Sequence, residues 1–308
     1  MNRRQTLQTF AAATGLALTP LSSSNSVQKR SGNFKYCLNT STLNVQQNGL
    51  KKVIELTARA GYDMIELWIP DLQKYTAEGN SLSSLNKFIR DSGLGVANAI
   101  GFAPWMLADD AMRRKGFEQM EAEMNIMAEV GCTRIAAAPA GLKPGDAVDL
   151  LAIGGYLKKL IALGKKTGVM PQLEFWGVSP VFYHIGQVLM VAAAANDPDV
   201  RILADVFHLF RGGSGFDGLR LVNGNHIDIF HMNDYPDTPR EEQKDKDRIF
   251  PGDGVAPMKQ IVQTLAATPN TKILSLELFN PEYWKRDPLE VAKTGLTKMK
   301  DAVKLANS

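Results

Sequence analysis

Glu174, Asp205, His231 and Glu277 each stand late in a short apolar run: PQLEFWG, ILADVFHLFRGG, DIFHMNDYP and LSLELFNPEYW, at separations of 31, 26 and 46 residues. An ionisable side chain late in an apolar strand is costly unless it is paired or bound to a metal. Each of the four taken singly reads as a polar residue satisfied at a strand end, but four in succession call for one shared explanation. Three carboxylates and an imidazole form an oxygen-dominated ligand set for one hard or borderline divalent cation. Mn2+ suits it first, with Mg2+, Co2+ and Zn2+ as alternatives. A cation of this kind beside a carboxylate can hold a developing enolate oxygen while the carboxylate takes a proton from the adjacent carbon.

One such residue per strand requires strands whose ends meet in one place. From residue 34 on, short β-favouring runs alternate with longer segments of helical period, the pattern of a parallel sheet wrapped by helices. Eight runs are legible, at 34–41, 63–69, 95–102, 133–140, 170–177, 200–207, 227–234 and 272–279. Amphipathic stretches between them, such as 50–61, 117–131 and 156–168, mostly close on a glycine suited to a helix C-terminus. Eight strand-helix units in one chain of this size predict an α/β fold, a single (β/α)8 TIM barrel over residues 31–308, with its chemistry at the C-terminal strand ends. The metal-type residues are spaced near the roughly 31 residues of an average barrel unit, and the long last gap holds a polar insertion, residues 235–254. A doubly wound open sheet would want a Gly-rich phosphate turn after the first strand, and NTSTLNVQQNG offers no G-x-G-x-x-G.

Other side chains near these strand ends are candidates for holding a substrate. His208, three residues past Asp205, is expected in the loop over the cation, and Arg248, in the charged insertion, as a lid residue. Glu66 ends the second strand, where it could bond a hydroxyl or pair with a cation. Trp68, Phe102, Trp105, Trp176 and Phe279 offer aromatic faces for the apolar side of a sugar ring, or simply fill space. Arg211 with Gly212, Gly213 and Gly215 hints at a phosphate cradle, but barrel phosphate sites follow strands seven and eight. The expected substrate is therefore an unphosphorylated small-molecule carbohydrate.

The strand-five Glu174, the D-x-x-H of Asp205 and His208, the H-x-N-D run His231 to Asp234, and DRIFPGDG (247–254) followed by Glu277 together resemble the xylose isomerase-like TIM barrels. That family includes tagatose 3-epimerase, hydroxypyruvate isomerase and inosose-processing enzymes. The resemblance implies that Glu174, Asp205, His231 and Glu277 bind the metal, and that Glu174 and Glu277 double as general base and acid. It also implies that His208 and Arg248 hold substrate oxygens. The expected activity is that of a metal-dependent sugar epimerase or isomerase. Returning the proton to the opposite face gives epimerisation and returning it to the neighbouring carbon gives isomerisation, and both stay open. Rival readings are a lyase or hydratase acting on 3-keto-glycosides and a non-catalytic sugar-binding barrel. A multi-metal abasic-site endonuclease would need more than the four histidines present.

The first thirty residues read differently. Paired arginines at Arg3 and Arg4, a short apolar run AAATGLAL and a polar stretch up to Arg30 resemble a twin-arginine export signal, although Thr6 departs from the usual apolar residue. Residues 1–30 are expected to be this signal and the protein to be periplasmic or otherwise exported, with no membrane span. The four positive charges of that segment, taken from a net +3, leave −1 on the remainder, which argues against a nucleic-acid partner. Cys37 and Cys132 are expected as thiols rather than a disulfide; a homodimer through the mouth loops is implied only by the family resemblance.

Overall fold

The computed structural model describes residues 33–222, 224–268 and 270–308. The expected export signal lies outside the described residues. Eight parallel strands form, one within each run read from the sequence: β1 (Phe34–Asn39), β2 (Met64–Trp68), β3 (Gly95–Ile100), β4 (Arg134–Ala137), β5 (Met170–Glu174), β6 (Ile202–Asp205), β7 (Ile229–Met232) and β8 (Lys272–Leu276). Their order is β3-β2-β1-β8-β7-β6-β5-β4, with helices between them, so the expected (β/α)8 barrel is present. β4 packs beside β3 without a regular ladder, and Arg134 Nη1 reaches the Ala97 carbonyl across this seam at 3.4 Å.

The helices close the outer layer because each has an apolar face for the strands. Leu50–Ala60 buries Leu50, Val53, Ile54, Leu56 and Thr57, then stops at Gly61, whose φ of 91° places it in the left-handed region. Asp149 caps the helix Leu150–Thr167 by accepting from the amides of Leu151 and Ala152. Inside the barrel, the period of two in each strand stacks side chains in layers. Cys37, Leu203, Ile229 and Ile273 belong to the apolar interior cluster, and the residues two places further along are Asn39, Asp205, His231 and Ser275. A dry plug thus supports a polar layer at the mouth. Both cysteines are free and buried.

The insertion between β7 and β8 is tied down rather than loose. The Asp234 carboxylate accepts from the amides of Tyr235, Gly252, Gly254 and Ala256 at 2.8 to 3.1 Å. Arg211 donates from Nε to the Gln243 carbonyl at 3.1 Å, so this arginine fastens the insertion. Among the described residues no helix is long and apolar enough to cross a membrane.

Candidate metal centre and active site

Asp205, His231 and Glu277 each present a ligand atom, and these atoms all lie within 4.8 Å of one another. Register explains the meeting: Asp205 pairs with His231 and His231 with Ser275, which puts Glu277 two residues further on, just past the end of β8. All three are buried. His231 Nδ1 lies 3.6 Å from Asp205 Oδ2 and 3.2 Å from Glu277 Oε2, without hydrogen-bond geometry to either. Glu174 lies outside this group of three, although it opens on the same cavity, and its Oε2 has no hydrogen-bond partner.

The donor set fits a cation. Two buried ligand-type atoms, His231 Nδ1 and Glu174 Oε2, lack partners, and a buried polar atom left so is expensive. Arg248 Nη1 sits 2.8 Å from both Asp205 Oδ2 and Glu277 Oε2, so the carboxylate pair already accommodates positive charge. Burial pushes the Glu174 carboxyl up to about 8; His231 opposes the rise and Glu277 adds to it. Burial alone would also raise Asp205, yet the Arg248 guanidinium beside it holds it far below the carboxylate range. His231 is the reverse case: burial would lower it, but Glu277 and Glu66 keep it well above its ordinary value.

A cavity of about 340 Å³ opens above these groups, lined by Trp68, Ile100, Phe102, Glu174, Trp176, Val178, His208, Asp245, Arg248, Glu277 and Phe279. The wall has two characters. Ionisable groups occupy one side, and Trp68, Phe102, Trp176 and Phe279 form a chain of rings with neighbouring centroids 5.7 to 6.1 Å apart. A polyol or cyclitol offers matching faces, hydroxyls on one side and C–H bonds on the other.

His208 occupies the first turn of a short helix, Val206–Arg211, and not a loop as expected. The reason is local: Asp205 caps that helix by accepting from the His208 amide at 2.9 Å. Asn233 orients the same carboxylate, donating to Asp205 Oδ2 at 3.1 Å while accepting from the Phe207 amide. Arg248 Nη2 lies 3.2 Å from His208 Nε2. Because a guanidinium can only donate, Nε2 accepts, and the unpartnered Nδ1 carries the proton. Burial, reinforced by Arg248, lowers the His208 pKa against the pull of Asp205, which favours this neutral form.

Two expectations need correction. Glu66, expected to reach a substrate hydroxyl, is fully enclosed beneath the cavity, where both its oxygens are engaged by side chains of β1, β3, β7 and β8. Trp105, one of the candidate platform aromatics, is buried with its indole N–H on the Ala138 carbonyl at 3.0 Å and does not line the cavity. Sequence reasoning missed Asp245, which lines the cavity and pairs with Arg248 at 2.5 Å, because it stands in a run of charges resembling a solvated loop. It also missed Asn39 and Asn98, although a polar residue in an apolar strand was the signal.

A parallel eight-stranded barrel with acidic and imidazole groups gathered at the C-terminal strand ends defines a TIM barrel with a candidate metal site at its mouth. The chain belongs to the xylose isomerase-like TIM barrel family, whose profile matches residues 54–302. It is similar to an inosose isomerase of Bacillus velezensis, 28% identical over 279 residues that cover 85% of this chain and 94% of that one. It is also similar to a 3-dehydroshikimate dehydratase of Pseudomonas putida, 25% identical over 80% of this chain but 39% of the relative. Among solved structures, the IOLI protein with a bound zinc atom superposes with a TM-score of 0.80 at 24% identity, covering 88% of this chain and 98% of that one.

Proposed function

We propose that this protein is a divalent-metal-dependent isomerase or epimerase that moves a proton on carbon next to a carbonyl, in an unphosphorylated ketose, keto-sugar or cyclitol. The observation that carries the reading is that Glu174 and Glu277 open on one cavity directly above the buried group formed by Asp205, His231 and Glu277. The resemblance to an inosose isomerase over most of both chains supports it. Asp205, His231 and Glu277 would hold the ion, with Glu174 facing it; we take Mn2+ as the first choice, and Mg2+, Co2+ and Zn2+ as its competitors.

When bound, the ion supplies positive charge that polarises the carbonyl and stabilises the enolate. The residues do the rest. The Glu174 carboxylate takes the proton from carbon, and the C–H electron pair moves toward the carbonyl oxygen. Glu277, starting as the acid, gives its proton to the opposite face for epimerisation or to the neighbouring carbon for isomerisation. In isomerisation the hydroxyl proton of the deprotonated carbon passes to the former carbonyl oxygen. Exchange with solvent then restores Glu174 as base and Glu277 as acid. His208, through its Nδ1 proton, and Arg248 hold substrate oxygens, while the rings of Trp68, Phe102, Trp176 and Phe279 pack on the C–H face and exclude water.

The test is metal analysis of the purified protein, followed by incubation with free sugars, cyclitols and 3-keto-glycosides in D2O and NMR detection of deuterium at carbon. About one ion per chain with deuterium entering a substrate is expected, and no bound ion under any loading condition would overturn the reading. The Pseudomonas putida dehydratase favours a second reading, elimination next to the carbonyl from the same base, which the same spectra would reveal as an unsaturated product. We also propose export, with residues 1–30 as the signal; N-terminal sequencing of the periplasmic protein tests this.

A further inference from the structure

Glu66 is a carboxylate with 0% exposure at the floor of the site, and the barrel surrounds it with donors. Oε1 receives Asn98 Nδ2 at 2.9 Å and lies 3.1 Å from His231 Nε2; Oε2 receives Asn39 Nδ2 at 3.0 Å and Ser275 Oγ at 2.6 Å. Four partners on one buried carboxylate are more than neutralisation requires. We propose that Glu66 is the positioning residue of the metal centre: it holds the Nε2 proton of His231 so that Nδ1 is the ligand atom, and through Asn39 it aims Glu277.

The tautomer follows from donor and acceptor types. An ionised carboxylate has no proton to give, so His231 Nε2 must donate to Glu66, and in the neutral imidazole Nδ1 then keeps its lone pair. That nitrogen faces Asp205 and Glu277 without hydrogen-bonding either. The Asn39 amide cannot be reversed, because its Oδ1 accepts from two groups that only donate, Trp68 Nε1 at 2.7 Å and the Ser41 amide at 3.0 Å. Its Nδ2 end is therefore fixed between Glu66 Oε2 and Glu277 Oε1, 3.0 Å from each. The backbone is shaped to match. The β2–β3 register shifts between Ile65 and Glu66, so that Ile65 pairs with Val96 but Glu66 pairs with Asn98, skipping Ala97. A bulge of this kind re-aims side chains, and here it delivers the amide that Glu66 accepts.

Partners behind a ligating histidine typically govern metal affinity by about 10–100-fold. The proposal rests on the metal-site reading above but not on any substrate or reaction. Glu66→Gln places an amide donor against the donors of Asn39 and Ser275, so Mn2+ titration of the full chain followed by electron paramagnetic resonance should show affinity weakened about 10–100-fold. Unchanged Mn2+ affinity in a folded Glu66→Gln would overturn the proposal. A second measurement needs no variant: long-range 1H–15N spectra of the zinc-loaded wild type, with only four histidines in the chain, should show His231 protonated on Nε2 and metallated on Nδ1. The opposite tautomer sinks the idea even if the variant fails to fold. A wild type that binds no divalent ion defeats the metal reading itself, whereas normal metal binding without sugar turnover counts only against the proposed reaction.

Discussion

His231 Nδ1 lies 3.2 Å from Glu277 Oε2 although 46 residues of chain, with the whole insertion among them, separate the two. Only the fold brings this nitrogen and this oxygen to face one point, where both can touch the same ion. His231→Ala and Glu277→Gln are each expected to weaken Mn2+ or Zn2+ binding by more than about 100-fold, beyond the effect of losing a supporting partner. Calorimetric titration of the metal-free proteins checks this; wild-type affinity in either variant would remove these residues from the centre.

Glu174 separates from that pair. It opens on the cavity but lies outside the three-residue group, so Glu174→Gln should keep the ion while losing about 10²–10⁴-fold in deuterium exchange at carbon. Loss of the ion together with activity would instead make Glu174 chiefly a ligand.

The same carboxyl predicts a pH dependence. In the metal-free protein it titrates near 8, against an ordinary value of 4.5, because burial penalises its charge. At pH 7 the folded protein therefore holds a proton that the unfolded chain has released, and stability falls as pH rises from about 4.5 toward 8. At pH 7 the cost is roughly 3 kcal/mol, so metal-free Glu174→Gln should melt higher than the wild type there and the gap should vanish near pH 4. Cation binding at pH 7 should also expel this proton, visible in calorimetry as buffer-dependent heats that Glu174→Gln reduces, the remainder coming from His231.

The insertion should respond to Asp234, whose carboxylate gathers four backbone amides. Asp234→Ala leaves those amides short of a partner and should cost about 2–4 kcal/mol, with new protease cleavage inside 235–254. Gly254→Ala should act similarly, since a Cβ there meets the Tyr235 carbonyl and the Asp234 carboxylate. Limited proteolysis and thermal melting of both variants check the claim; wild-type resistance would show the insertion held by other contacts.

On the apolar wall, Phe102 is 39% exposed and touches both Trp68 and Trp176. Phe102→Ala should raise KM for the accepted sugar by about tenfold with metal affinity unchanged, the signature of a lost stacking face. An unchanged KM would mark the ring as filler.

The eight strands were legible in the sequence, because β-favouring apolar runs and glycine-closed helical stretches are local signals that survive in the fold. So were the residue types at the strand ends, and with them the kind of ion and chemistry to look for. Which of those residues meet was not written in any local stretch of chain. Strand stagger and register set the distances between side chains on different strands, and no local pattern carries them. Thus the ligand atoms of Asp205, His231 and Glu277 fall within 4.8 Å of one another while Glu174 lies outside that group, and Glu66, read as a substrate contact, lies under the site, where a one-residue register shift pairs it with Asn98 and its Oε1 meets the ring of His231. Asp245 joins the cavity for the same reason: the insertion folds back over the mouth, a long-range event that a run of charges does not announce.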